Sequence, residues 1–144
     1  MMENAIQVLM AFLGSVGFAV FFRMKGKQIF FAGLGGAGTW IIYLLITSFT
    51  GGEFVPNLAS AISAGIYAEI MARVNRAPAT IFLTAAAVPL IPGGKLYYTM
   101  AALVNDDKTA FVQNGETAVI IALAIASGFV VVALASKYLN MLHK

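Results

Sequence analysis

The sequence predicts an all-α, polytopic integral membrane protein, a single transmembrane helical domain over residues 1–144. Three observations carry that prediction. The chain is 60% hydrophobic and only 10% charged, whereas soluble globular chains are about one-quarter charged. Its mean hydropathy is +0.88, and a water-soluble core of this size is too small to hide so much apolar surface from solvent. The apolar residues come in long uncharged runs instead of alternating with polar ones. Backbone amides in lipid must be bonded within their own segment, so such runs form helices and not a barrel.

Residues 4–22 are the first uncharged run, long enough to cross a hydrocarbon core of roughly 30 Å at about 1.5 Å per residue. Glu3 precedes it and Arg23, Lys25 and Lys27 follow, the reverse of a signal peptide's charge order. The run is therefore expected to stay as an anchor with its N-terminus outside. Residues 29–48 form a second run, in which Trp40 and Tyr43 are amphipathic rings suited to interfaces or helix contacts. Gly51, Gly52, Pro56 and Asn57 then break the pattern. Residues 58–72 are a third apolar segment that contains Glu69 and ends at Arg73, with Asn75-Arg76-Ala77-Pro78 as the connection.

The fourth segment, residues 79–91, is short for a span and is interrupted by Pro89, Pro92, Gly93 and Gly94. Helical spacing resumes over 96–105 with Leu96, Met100 and Leu103, and Asp106, Asp107 and Lys108 end that piece in water. Residues 117–136 are the last uncharged run, followed by a basic tail of Lys137, His143 and Lys144.

Five transmembrane segments, the fourth broken at the Pro-x-x-Pro-Gly-Gly stretch, are the first expectation. The positive-inside rule then puts Arg23, Lys25, Lys27, Arg73, Arg76, Lys137 and Lys144 on the cytoplasmic face, leaving Lys95 and Lys108 outside. The alternative is four spans plus a re-entrant hairpin, which moves Lys95 and Lys108 inside and Lys137 and Lys144 outside with the same imbalance. With five spans the N-terminus lies outside and the C-terminus in the cytoplasm.

Composition also excludes function classes. The net charge is +3, but the cations cluster at the ends of apolar runs and form no basic stripe with exposed aromatics, so no nucleic-acid partner is expected. There is no cysteine and one histidine. His143 is read as a solvated tail residue, and neither a metal site nor a cofactor is expected. All acids but Glu69 flank the spans, and no histidine can act as base beside a Ser or Thr. The chain is expected to be a transporter component and not an enzyme.

Gly33, Gly35 and Gly38 match the G-x-G-x-x-G spacing of a dinucleotide site, but they lie inside an apolar helix with no preceding strand, so close helix packing or local flexibility accounts for them better. Small residues at intervals of four, Ser60, Ala64, Ala68 and Ala72 in the third segment and Ala118, Ala122 and Ala126 in the last, mark helix-packing surfaces, within the bundle or in self-association. Glu69, four residues before Arg73, is either a proton or binding site or an interfacial ion pair.

Residues 89–98 hold the main candidate site. Each proline removes a backbone donor and clashes with the preceding turn, so carbonyls near Val88 to Ile91 lose their helical partners. Irregular backbone at membrane depth survives beside protein or a water-filled cavity, and such breaks build substrate sites in transporters. A helix restarting near Lys95 would offer free amides and an ammonium to a substrate carboxylate, with Tyr97, Tyr98 and Thr99 adding hydroxyls. The competing reading is a plain extracellular Pro-Gly turn with Lys95 in water and the tyrosines in an aromatic belt.

Val16-Gly17-Phe18-Ala19-Val20-Phe21-Phe22, Ala77-Pro78-Ala79-Thr80-Ile81-Phe82 and, above all, Pro89-x-x-Pro92-Gly93-x-x-x-Tyr97-x-x-Met100 resemble the threonine/serine exporter family, specifically its small membrane subunits. The resemblance covers nearly the whole chain, which looks like the C-terminal half of single-chain members. It implies a bacterial inner-membrane exporter of threonine and serine or, in some two-component members, of small dicarboxylates. It further implies coupling to the proton gradient and a larger membrane subunit as partner. Only Pro89, Pro92, Gly93, Tyr97 and Met100 inherit motif status from it.

Overall fold

The computed structural model describes residues 2–142. His143 and Lys144, read above as part of the basic tail, lie outside the described residues. Those described form six α-helices and no strand: α1 (Met2–Phe21), α2 (Lys27–Thr47), α3 (Phe54–Asn75), α4 (Ala79–Ala87), α5 (Gly93–Val104) and α6 (Lys108–Leu142), with a 3-10 turn Val88–Leu90 between α4 and α5. Among these, α1, α2 and α6 are each long and apolar enough to cross a membrane, and the α4–α5 pair, bent by 51°, makes up to four if counted as one span.

Helix α3 has the length, at 22 residues, but Asn57, Ser60, Ser63, Glu69 and Arg73 dilute its hydropathy. The reason is its position: α3 sits between α2, α4 and α6, and it buries Asn57, Ser60, Ala61, Ala64, Gly65 and Ala68. A helix shielded by neighbouring helices can carry small and polar residues that a lipid-facing one cannot.

Side-chain contacts fix the sense of each helix. Gln7 meets Trp40 and Phe12 and Val16 meet Gly33, so α1 and α2 are antiparallel. Tyr43 bonds Glu53 and Tyr67 bonds the Phe31 carbonyl at 2.6 Å, so α2 and α3 are antiparallel as well. Helices α3 and α6 run parallel, because Ala61 faces Gly128 and Gly65 faces Val132.

Glycine sets how closely these helices approach. A methyl group at Gly36 would collide with the Ser15 hydroxyl and stand 3.2 Å from the Ala11 carbonyl oxygen, and one at Gly128 would stand 2.7 Å from Ala61 Cβ and 3.0 Å from the Leu58 carbonyl oxygen. Backbones drawn this close gain dispersion contacts, the main attraction available between helices in lipid.

Three helices stop by the same device. Arg23, Arg76 and Asp106 adopt positive φ (56°, 49° and 56°), and the amide just after each reaches back to a helix carbonyl: Met24 to Ala19 at 3.0 Å, Ala77 to Ala72 at 3.1 Å and Asp107 to Ala102 at 2.9 Å. This is the Schellman closure, here made without glycine. After α1 its apolar contact is visible, since Met24 and Ala19 are both buried in one cluster with Ala32, Ala68, Phe82 and Ala85.

Two features of the last helix depart from its sequence pattern. The last helix begins at Lys108, ahead of the apolar run, and reaches 35 residues, because Asp107 caps it, its Oδ1 accepting from the Ala110 amide at 3.0 Å, and residues 109–116 contain polar side chains but no proline to stop a helix. The packing face of α6 is also not the alanine row: Ala118 is buried, but Ala122 and Ala126 are exposed. The buried row runs through Ala118, Ile121, Ala124, Gly128 and Val132; Ala118 lies at the edge of that face, and each step of four from it turns about 40° further away, carrying Ala122 and Ala126 off it.

Candidate functional site at the α4–α5 bend

Helix α4 ends where Pro89 and Pro92 remove donors. The Ile91 amide bonds the Val88 carbonyl at 3.3 Å, the Gly93 amide turns back to the Ile91 carbonyl at 2.7 Å, and regular bonding restarts with the Leu96 amide on the Pro92 carbonyl at 3.0 Å. The amides of Gly94 and Lys95 belong to the first turn of α5 and have no intrahelical acceptor. No glycine-bound atom crowds the start of α5: a side chain at Gly93 or Gly94 would meet nothing within 4 Å.

This opening is one wall of a cavity of about 250 Å³ lined by Pro89, Pro92, Gly94, Lys95 and Tyr98, together with Trp40 and Tyr43 of α2, Glu53 and Asn57 at the start of α3, and Ile121 of α6. Trp40 and Tyr43 stack at 4.7 Å between ring centroids. The Tyr43 hydroxyl donates to Glu53 Oε2 at 3.1 Å. Asn57, only 3% exposed, donates from Nδ2 to the Glu53 carbonyl oxygen at 2.7 Å. The Trp40 indole donates to Gln7 Oε1 on α1 at 3.3 Å, and on that side a second cavity of about 280 Å³ opens between Gln7, Met10, Gly14, Val88 and Pro89.

Glu53 and Lys95 thus face one small cavity from opposite elements and are both half-buried, yet no ion pair within 4.0 Å forms among the described residues. The site presents a cation with free amides, a carboxylate held by a phenol, and an aromatic wall. Its volume lies below the roughly 300 Å³ at which drug-sized pockets begin, so it suits a small ligand.

The bend therefore gathers Pro89, Pro92, Gly94, Lys95 and Tyr98. Gly93 lies beside them without lining the cavity, and Tyr97 points outward at 69% exposure, meeting Tyr98 edge to face at 5.5 Å. Glu69 and Arg73 are elsewhere. They line a separate apolar groove of about 260 Å³ between α3 and α6. On α3, Ser60, Ala64 and Ala68 are buried and Ala72 is half-buried.

Trp40, Tyr43, Glu53 and Asn57 were not anticipated as site residues. Their residue types read as belt aromatics and turn formers. The usable signal lay in the five-span expectation, under which the α2–α3 connection and Lys95 share one side; the structure lines one cavity with Glu53 and Lys95. No group of three or more His, Cys, Asp or Glu side chains able to hold a metal occurs among the described residues.

Three helices long and apolar enough to cross a membrane, with a fourth span if the bent pair counts as one, describe an integral membrane protein. The family model described as "Threonine/Serine exporter, ThrE" matches residues 7–135, nearly the whole chain, and the protein belongs to that family. Membership makes it a membrane protein of exporter type. No curated protein and no solved structure matches it significantly.

Proposed function

We propose that this chain is a subunit of a bacterial inner-membrane exporter that moves threonine, serine or related small organic acids, driven by the proton gradient, and that the cavity at the α4–α5 bend is part of the substrate path. The observation that carries the reading is the placing of Lys95 and the free amides of α5 against Glu53 and two stacked aromatic rings in a cavity of about 250 Å³. A carboxylate substrate would be held by the ammonium and by the positive end of the α5 dipole, an arrangement that discontinuous membrane helices use for small anions.

Five crossings fit this arrangement best. A bend of 51° keeps α4 and α5 running in the same sense, whereas a re-entrant hairpin requires the chain to reverse. With α3 counted, Arg23, Lys25, Lys27, Arg73, Arg76 and Lys137 fall on one side and Lys95 and Lys108 on the other, which the positive-inside rule reads as N-terminus out and C-terminus in. Replacing Pro92 with Ala is expected to lower efflux of radiolabelled threonine from preloaded cells by about tenfold at equal membrane abundance. Unchanged flux counts against the path.

A second reading is an accessory subunit whose larger partner holds the pathway. It is favoured by two apolar grooves that flank Ile66 and Ile70 on the outer face of α3, one against α6 and one against α2, a surface suited to a partner helix or to self-association. On that reading the purified partner alone transports in liposomes, and a strict requirement for this chain rejects it.

A further inference from the structure

The cavity at the bend has two unlike ends. Lys95 and the first amides of α5 form the cationic end, which any carboxylate can use. Glu53 forms the other, and its carboxylate accepts from the Tyr43 hydroxyl at 3.1 Å. The stacked faces of Trp40 and Tyr43, beside the same cavity, attract a cation through their ring quadrupoles. A half-buried carboxylate beside two aromatic rings favours an ammonium and repels a second carboxylate.

Resting on the proposed substrate path, we infer that Glu53 is the specificity-determining residue of this site: it receives the substrate's ammonium and selects α-amino acids over hydroxy acids and dicarboxylates of the same size. Its backbone carbonyl is held by Asn57 Nδ2 at 2.7 Å and its carboxylate by Tyr43, so the group is fixed before the ligand arrives, which lowers the ordering cost of binding. Glu53 also stands at the N-terminus of α3, where a negative charge is favourable to the helix. That structural role affects stability and leaves ligand preference untouched.

L-Threonine and 3-hydroxybutyrate differ only in the ammonium, so calorimetric titration of the full chain in lipid nanodiscs with each isolates this end of the site. The wild-type chain is expected to prefer threonine by at least tenfold. In Glu53→Gln that preference falls below threefold because threonine weakens while 3-hydroxybutyrate holds, whereas Lys95→Gln weakens both. Retention of the tenfold preference in Glu53→Gln overturns the inference alone, and wild-type affinity for both ligands in Lys95→Gln overturns the substrate path beneath it. A measurement on the unaltered chain covers the case in which Glu53→Gln does not fold. Carbodiimide labelling of Glu53, read by mass spectrometry, is expected to be slowed by threonine and not by 3-hydroxybutyrate; equal protection by the two, or none, overturns the assignment.

Discussion

The α1–α2 hairpin and the α4–α5 bend are both rich in glycine, and glycine does opposite things in them. At the hairpin a side chain on Gly33 would stand 2.7 Å from Phe12 and Val16, and one on Gly36 would collide with Ser15. At Gly33 and Gly36 the residues of α1 leave no room for a side chain, whereas Gly14, Gly17 and Gly38 of the same hairpin have none of these contacts. At the bend Gly93 and Gly94 have nothing within 4 Å, and space is what they leave. Close packing makes the first region a rigid frame. The second, with two prolines and first-turn amides that lack an intrahelical acceptor, is an opening that the surrounding helices line.

Substitutions sharpen that contrast. The largest effect is expected from Gly36→Leu, which drives a branched side chain into Ser15 and the Ala11 backbone. Overpacking typically costs about 1–3 kcal/mol, and with backbone on the far side we expect the upper end of that range or more, read as loss of detergent-extractable folded protein. Lys95→Gln comes next: efflux of threonine falls at least tenfold, about 1.4 kcal/mol, while thermal stability in detergent stays unchanged.

Gly94→Leu separates stability from transport. Leucine is the better helix former by up to about 1 kcal/mol, and α5 has open space there, so the melting temperature holds or rises slightly while the side chain occupies the cavity and efflux drops severalfold. The smallest effect belongs to Arg23→Gly. Glycine relieves a left-handed residue of about 1 kcal/mol but removes a cation from the C-terminal end of α1, worth about 0.3–1 kcal/mol, so stability moves by less than about 1 kcal/mol and efflux does not move.

How much of this was legible follows from which forces act locally. Helices α1 and α2 lie where uncharged runs place them, because length and hydropathy alone decide whether a segment enters lipid. The start of α6 was not legible: Gln113, Asn114 and Glu116 end the apolar run, but helix formation there depends on the Asp107 cap and on α5 packing alongside. The buried face of α6 was not legible from its alanines, because it is defined by the helices packed against it, and Ala122 and Ala126 turn away from it. At the site, Lys95 stood out through its glycines and prolines, which act on their own backbone. Glu53 did not, since its significance comes only from where α2 and α3 bring it, across a cavity from Lys95.

The account depends on ligand entering the cavity at the bend, and the chain has a single tryptophan, Trp40, in that wall. Titrating L-threonine into the full chain in lipid nanodiscs while following its intrinsic fluorescence is expected to give a saturable change in the wild type and none in Lys95→Gln at the same concentrations. A wild-type signal that never saturates, or an identical curve in Lys95→Gln, contradicts the proposal that this cavity carries the substrate.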